Sequence, residues 1–559
     1  MKLLLDDMPH AKADGYIPEK CCLPGTRAAV LKKIDQWIDL PNDETVSRLL
    51  IMYGVAGCGK SAIAHKVARD NRDKNRLGSA IFFERAAQAQ RRSGILFGTV
   101  SRNIAHQDAR WRNALCEIIK DDEALRHTQS VSMQMENFIL KPAKVLDGSG
   151  PIVIVIDALD ESGDVAARGE LLRILVANAP KLPSCFRILI TTRLESDIWE
   201  RISSKPLVQL EPIDNTDSAI DADIATFIRH QLADIADDLE RKLPNGKWCS
   251  ALVGASDHLF QWAATACLAI IEAKGGEDHD EVLLDFVNNI RGLDDLYLAV
   301  LAKRFDPNDS KRAMPRFRQV MGNILAAKEP LSMHCHSELW RNCNPDGKNP
   351  VELIVGQLGS LLSGTKNKDT PIRALHTSFF DFLKDSKRSG VYYVDPIQQD
   401  RHLALACLRS MNAGLKFNIC HLESSHRRNT DILDLPVRVQ NLIGTVLSYS
   451  CRFVGEHIEF ISYDKQDDDD PEARLSIQEY EERLRFELLR LFRDKFTYWL
   501  EVLSVAKHMA TASRSLLAIL DISVERVTYF SNQYRRVLIK ISLYTASRRR
   551  THPSHNRCN

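Results

Sequence analysis

The sequence predicts an α/β protein in which a five-stranded parallel sheet is followed by a mainly helical remainder. Up to about Asp214, short apolar runs of strand length alternate with helical stretches, which is typical of a parallel sheet covered by helices on both faces. After Asp214 the strand signals nearly disappear, and residues 456–559 contain no glycine, which favours helix. The first strand leads directly into a glycine-rich turn and a further helix.

The elements follow from apolar runs and periodicity. The predicted strands are Leu49–Tyr53, Ala80–Phe83, Ile152–Ile156, Ile188–Thr191 and Leu207–Leu210. The predicted helices include Ser61–Asp70, Ser218–Ala236, Gly254–Ala273, Arg316–Leu331 and Ala473–Leu503. An acidic break at Asp464–Glu472 precedes the last of these, and the chain ends in a basic tail containing Arg548–Arg550.

Composition limits the function classes. The chain has 559 residues, enough for several domains, and its net charge of +1 argues against a specific nucleic-acid partner or a membrane surface. Its 13 cysteines include no CxxC pair, so neither a zinc site nor a disulfide framework is indicated. The longest apolar run, Trp262–Ile271, is about half a membrane span. We therefore expect a cytoplasmic protein with no membrane span.

The glycine-rich turn matches the phosphate-binding pattern GxxxxGKS/T. In this pattern the glycines let successive N–H groups face one anion, the lysine meets the terminal phosphates and the hydroxyl takes Mg²⁺. The helix that follows adds the positive end of its dipole. The predicted nucleotide-binding residues are Gly54, Val55, Ala56, Gly57, Cys58, Gly59, Lys60, Ser61 and Ala62, and Ser61 is also a predicted magnesium ligand. Cys58 is expected to be a partly exposed thiol.

An acidic cluster follows the most apolar strand. Asp157 is the first polar residue after Ile152–Ile156 and is predicted to hold Mg²⁺ through a water molecule. Glu161 is the predicted base for the attacking water, and Asp160 would support either role. The alternative is a solvated turn that ends a strand, and the upstream loop favours the functional interpretation.

A third candidate group is Arg193, which follows the strand Ile188–Thr191 and a second threonine. A cation at that edge of the sheet would reach the γ-phosphate and distinguish ATP from ADP. We therefore predict a catalytic or sensor role for Arg193.

Taken together, GVAGCGKS, IVIVIDALDES and ILITTR, in that order, resemble the NACHT family of signal-transduction nucleotidases, which are P-loop NTPases related to animal intracellular immune receptors. Other segments are similar to fungal, mushroom-type members of that family. They are CLPGTRAAVLKKIDQWI at 22–38, HLFQWAATACLAI at 258–270, LHTSFFDFL at 375–383 and YWLEVLSV at 498–505.

The resemblance implies an architecture and further site residues. The implied divisions are a tail at 1–21, a P-loop domain at 22–214, a helical domain at 215–300, a winged-helix domain at 301–398 and a helical region at 399–559. Arg27 would lie near the adenine, and Leu259 and Phe260 would cover the base. His376 would contact the β-phosphate of ADP, although on sequence grounds alone a structural histidine is equally compatible.

The implied function is a switch that binds ATP or ADP with Mg²⁺, hydrolyses ATP slowly and self-associates in the ATP form. The implied partners are nucleotide, a second copy of the chain and full-length relatives. Members usually carry an N-terminal effector and a C-terminal repeat sensor, often a propeller. We recognise neither here, so a short form or an incomplete gene model is expected. Two alternatives stay open: a non-catalytic scaffold or inhibitor of full-length relatives that holds nucleotide, and an energy-coupled ATPase or phosphotransferase.

Overall fold

A computed structural model of the protein describes residues 15–84, 93–122, 128–203, 208–213, 218–273, 276–305, 313–344, 347–424, 426–461 and 471–525, together with 5, 8, 10, 124 and 125. The basic tail and most of the acidic break lie outside the described residues. The described chain separates into two compact units. The first runs up to Arg304 and also includes Ala374–Phe382, and the second comprises Phe305–Arg373 and the residues from Leu383 on.

The first unit contains the five-stranded parallel sheet that the sequence predicts. The strands are β1 (Leu49–Tyr53), β2 (Leu77–Phe82), β3 (Ile152–Asp157), β4 (Phe186–Thr192) and β5 (Val208–Pro212). Their order across the sheet is β2-β3-β4-β1-β5, and every pair of neighbours is parallel. The carboxyl ends of β3, β4 and β1 therefore lie side by side.

Alternation along the strands produces two hydrophobic cores, one on each face of the sheet. Leu49 and Ile51 of β1 belong to one core, whereas Leu50 and Met52 belong to the other. The helices that cover the two faces and continue the unit are Ala28–Ile38, Lys60–Asp73, Leu96–Gln107, Ala109–Asp121, Val131–Gln134, Lys141–Ala143, Val165–Asn178, Ser196–Ile202, Ser218–Gln231, Ala236–Lys242, Lys247–Ala255, Phe260–Glu272, Gly276–Asn289 and Gly292–Arg304, with a π-helical stretch at Met135–Leu140.

Several predicted boundaries differ from the structure, and two of these differences are informative. β2 begins at Leu77 rather than Ala80 and includes Gly78, where a side chain would not fit, since an added Cβ would lie 2.9 Å from a methyl group of Ile152. The predicted helix Gly254–Ala273 is interrupted, since Asp257 and His258 adopt positive φ angles of 47° and 61°. Left-handed residues end an α-helix.

The second unit is mainly helical. Its helices are Ala313–Ala326, Met333–Cys343, Val351–Gly356, Ser386–Ser389, Pro396–Gly414, Leu435–Leu442, Thr445–Ile461, Pro471–Arg490, Phe496–Val505 and Met509–Glu525, with a π-helical stretch at Leu491–Lys495. The chain also contains a short two-stranded sheet of β6 (Leu362–Ser363) and β7 (Arg373–Ala374), and the last residue of β7 is assigned to the first unit. The winged-helix assignment and the predicted domain divisions stay predictions.

A buried polar group lies inside the second unit. Asp400 accepts hydrogen bonds from Lys328 Nζ at 2.8 Å and from His457 Nδ1 at 2.6 Å. His457 Nε2 in turn lies 2.8 Å from the hydroxyl of Tyr449. These contacts satisfy polar groups that would otherwise be costly to bury. Among the described residues, no helix is both long and apolar enough to cross a membrane.

His65 connects the N-terminal segment to the sheet. Its ring stacks on Phe82 with centroids 3.8 Å apart, and its Nδ1 accepts the backbone N–H of Ile17 at 3.1 Å. Burial, assisted by the charge of Lys20, lowers the pKa of His65 from 6.5 to about 3. The folded protein therefore holds this ring neutral, whereas the unfolded chain protonates it near its ordinary pKa.

We predict that His65→Asn makes the stability of the protein less sensitive to acid. Because the folded-state pKa is depressed, the contribution of His65 is fully present above pH 6.5 and is lost as the pH falls toward 3. Between pH 7 and pH 5, the wild type should lose about 2 kcal/mol of unfolding free energy through this residue. Urea denaturation of both proteins at the two pH values measures the difference, and parallel losses would contradict the assignment.

Candidate functional site

The glycine-rich turn connects β1 to the helix Lys60–Asp73. Gly57 and Gly59 have φ angles of 81° and 92°, a left-handed conformation that glycine adopts without strain. Gly59 caps the helix, and its carbonyl accepts the N–H of Ile63 at 3.2 Å. The first N–H groups of a helix have no partner within it. The turn therefore places the helix N-terminus, with its positive dipole end, at the carboxyl edge of the sheet.

Packing also requires glycine in this turn. A Cβ on Gly57 would lie 2.8 Å from Cβ of Gln261, whose N–H donates to the carbonyl of Gly57 at 3.1 Å. A Cβ on Gly54 would lie 3.0 Å from the sulfur of Cys58. Cys58 is fully buried, so the expectation of a partly exposed thiol is wrong. Close packing of the turn against its surroundings covers the sulfur.

Lys60 contacts the turn itself. Its Nζ donates to the carbonyl oxygens of Gly54 at 2.8 Å and Val55 at 2.7 Å, and lies 3.7 Å from the sulfur of Cys58. The ammonium group is thus held at the turn by carbonyl dipoles. The nine predicted turn residues, from Gly54 to Ala62, lie together between β1 and the first turn of the helix.

Asp157, at the end of β3, lies next to Ser61. It accepts hydrogen bonds from the hydroxyl groups of Ser61 and of Thr191 at the end of β4. Burial raises the pKa of Asp157, while these two hydrogen bonds and the nearby charge of Lys60 oppose the rise. Thr191 also accepts the N–H of Ala158 at 2.9 Å. The two predicted magnesium ligands, Ser61 and Asp157, are therefore in direct side-chain contact.

The other two acidic residues lie in a 3₁₀ turn, Leu159–Glu161, and both are buried. Arg193 follows β4 and donates its backbone N–H to Asp160 Oδ1 at 3.0 Å. Its Nε lies 3.3 Å from Asp160 Oδ2, and its Nη2 lies 3.8 Å from Glu161 Oε1. The three predicted catalytic residues are thus adjacent in space.

Arg168 supports this acidic turn and has no counterpart in the sequence-based prediction. It lies on the helix Val165–Asn178 and donates to the carbonyl oxygen of Asp160 at 2.8 Å. It also forms a two-pronged ion pair with Asp197, with distances of 3.0 and 2.7 Å. No local motif marks Arg168, because its partners are distant in sequence.

Arg27 contacts the turn from the other side. Its Nη2 donates to the carbonyl of Cys58 at 2.5 Å, and its guanidinium lies 4.8 Å from the centre of the Phe260 ring. The N–H of Arg27 donates to Asp223 at 2.8 Å. Burial lowers the pKa of the Arg27 side chain, and its buried Nε has no hydrogen-bond partner within the described structure. The structure therefore brings together Arg27 and Phe260, the pair expected near the adenine.

The segment Ala374–Phe382 brings His376 to the same site within the first unit. His376 Nδ1 accepts the N–H of Ser378 at 3.2 Å and lies 2.5 Å from its hydroxyl, which contacts Tyr297 OH at 2.7 Å. Burial, assisted by the charges of Arg193 and Lys60, lowers the pKa of His376 to about 3. The ring is therefore neutral, and because Nδ1 accepts, its proton lies on Nε2.

The same segment provides two contacts to Arg193 that the sequence-based analysis missed. Arg193 Nη1 lies 2.9 Å from Asp381, and Nη2 donates to the hydroxyl of Thr377 at 2.6 Å. Burial lowers the pKa of Arg193, but Asp381, Asp160 and Glu161 raise it above its ordinary value overall. The i, i+4 spacing of a hydroxyl and a carboxylate in LHTSFFDFL is the signal that could have indicated this contact.

Comparison with known proteins supports part of the expected relationship. The family model described as nephrocystin 3, N-terminal, a NACHT-related region, matches residues 25–193. The match includes Arg27, the glycine-rich turn, the acidic cluster and Arg193, but not His376. No curated protein matches the chain. The match supports a resemblance of residues 25–193 to a NACHT-related region. The likeness to mushroom-type members stays a prediction.

We predict that Gly57→Ala destabilises the protein more than Gly246→Ala does. Both glycines have positive φ angles, 81° and 67°, so each alanine should cost about 1–2 kcal/mol through backbone conformation. Only at Gly57 does the added methyl group meet a neighbour, since nothing lies within 4 Å of a Cβ on Gly246. Overpacking should add about 1–3 kcal/mol. Chemical denaturation measures both losses, and equal losses would show that the turn is not tightly packed.

Proposed function

We propose that the chain binds ATP and ADP with Mg²⁺ at the glycine-rich turn and acts as a slow, nucleotide-controlled switch. The observation that carries the proposal is the convergence of three groups at one edge of the sheet. Lys60 lies in the turn that follows β1, Asp157 ends β3 and contacts Ser61, and Arg193 follows β4 and contacts its acidic partners. Ligands of parallel sheets bind at this edge.

The turn supplies the phosphate contacts. A phosphate at the N-terminus of the helix Lys60–Asp73 would accept backbone N–H groups and interact with the dipole. It would also compete with the carbonyl oxygens of Gly54 and Val55 for the ammonium group of Lys60. An ion pair with phosphate is stronger than a hydrogen bond to a neutral carbonyl, so exchange of partners is favourable.

Ser61 and Asp157 fit a magnesium ion chemically. Mg²⁺ prefers oxygen ligands and is usually held by one or two protein side chains together with phosphates and water. No group of three or more His, Cys, Asp or Glu side chains within the described ranges is placed to hold a metal ion by itself. In this proposal Mg²⁺ would neutralise phosphate charge, while the hydrogen bond from Thr191 keeps the carboxylate of Asp157 oriented.

Glu161 is the proposed base that orients or deprotonates the attacking water, with Asp160 supporting it. Arg193 would stabilise the charge of the γ-phosphate. In the structure, however, each side-chain nitrogen of Arg193 contacts a protein group, and the nearest are Asp160, Asp381 and Thr377. This engagement favours slow turnover, and it supports a second candidate function in which the protein holds nucleotide without hydrolysing it.

The switch itself follows from differential binding. A nucleotide shifts a conformational equilibrium only by as much as it prefers one arrangement. Neutral His376 offers an Nε2–H donor, and the proposed ligand is the β-phosphate of ADP. Self-association in the ATP form and signalling with full-length relatives belong to the same proposal, which the match to a NACHT-related region supports.

We predict that Lys60→Ala reduces affinity for both nucleotides by at least tenfold, because it removes a charge-assisted contact to phosphate. Lys66→Ala is the matched control, since Lys66 lies on the same helix but pairs with Asp70 at 2.6 Å. Isothermal titration with Mg·ADP and a non-hydrolysable ATP analogue measures both affinities. Equal affinities of the wild type and Lys60→Ala would refute the site.

We predict that Glu161→Gln preserves ATP binding and lowers the hydrolysis rate, because the amide keeps the shape of the side chain but cannot take a proton. The expected loss in rate is at least about a hundredfold. Phosphate release under single-turnover conditions measures it. An unchanged rate would remove Glu161 from the role of base, and the absence of hydrolysis in the wild type would favour the nucleotide-holding function.

A further inference from the structure

We propose that Asp381 and Thr377 determine nucleotide specificity by competing with the terminal phosphate of a triphosphate for Arg193. The inference rests on the proposed function and concerns the same site. Its consequence is that the arrangement seen here favours a nucleoside diphosphate over the triphosphate.

Arg193 has a protein partner at every side-chain nitrogen. Nε lies 3.3 Å from Asp160, Nη1 lies 2.9 Å from Asp381, and Nη2 donates to Thr377 at 2.6 Å. The side chains of Arg193 and Asp381 are 18% and 21% exposed, so water screens their ion pair less than a surface pair. A terminal phosphate that takes the N–H groups now facing Asp381 and Thr377 therefore competes with these two side chains for Arg193.

The helix Thr377–Leu383 presents both partners on one face. Residues four apart lie one above the other on a helix, so Thr377 and Asp381 reach the same guanidinium. Phe379 and Phe382 pack on Tyr297, with ring centroids 5.3 and 5.4 Å apart, and both phenylalanines are buried. The position of the helix is thus fixed by aromatic packing as well as by its contacts with Arg193.

The carboxylates around Arg193 also favour a diphosphate over a triphosphate. Asp160, Glu161 and Asp381 all lie within 4 Å of the guanidinium of Arg193. Three carboxylates around one arginine make the surroundings unfavourable for further negative charge. A γ-phosphate brings such charge to this place, whereas a diphosphate ends before it. Removing the charge of Asp381 should therefore favour the triphosphate selectively.

The test uses the full chain and the variants Asp381→Asn and Thr377→Val. Affinities for Mg·ADP and for a non-hydrolysable ATP analogue with Mg²⁺ are measured by titration. Asp381→Asn should raise the preference for the ATP analogue over ADP by about fivefold or more, in the range of ordinary couplings between sites. Thr377→Val should change the preference in the same direction by a smaller factor. Asp285→Asn is the control, because Asp285 pairs with Lys303 at 3.0 Å elsewhere in the unit.

The outcomes separate this inference from the proposed function. If the wild type binds both nucleotides and neither variant changes their ratio, Asp381 and Thr377 do not control specificity, and the site assignment still stands. An equal gain or loss for both nucleotides would show only a structural role and would also overturn the inference. If Asp381→Asn does not fold, Thr377→Val decides. A wild type that binds neither nucleotide would overturn the proposed function itself.

Discussion

Three acidic residues, Asp157, Asp160 and Glu161, are buried close together at the end of β3. Their burial lowers the free energy of unfolding unless neighbouring groups compensate for the lost hydration. Each ionised carboxylate removed from water costs several kcal/mol unless it is paired or hydrogen-bonded. The partners come from other elements of the unit: hydroxyl groups from Ser61 and Thr191 for Asp157, and the guanidinium of Arg193 for the other two acids. The arrangement of the site follows from this requirement.

The strand order makes these partners available. β4 lies between β3 and β1 in the sheet, so Thr191 and Arg193 at its end stand between the acidic turn and the glycine-rich turn. Thr191 donates a hydrogen bond to Asp157, and Arg193 contacts Asp160 from the end of the adjacent strand. Topology, rather than sequence proximity, therefore assembles the charges.

The sequence predicted the parts of this arrangement that depend on local pattern. The cores of β1, β2, β3 and β4 were predictable because each contains a buried apolar run, and the turn was predictable because glycine spacing has a specific conformational meaning. The predicted start of β2 was three residues late, since Gly78 and Ser79 are buried but are not hydrophobic residues. The left-handed residues Asp257 and His258 were missed because neither is a glycine.

Contacts across long separations were not predictable from one sequence. Asp381 and Arg193 are 188 residues apart in the chain, and only the fold makes them neighbours. The same fact affects how the protein can be divided. A polypeptide that stops at Arg304 would contain the whole sheet but would lack Ala374–Phe382, exposing Tyr297 and depriving Arg193 of two of its partners. The compact unit that contains the sheet is therefore discontinuous along the chain, and a fragment chosen by sequence continuity alone would lack part of the surroundings of Arg193.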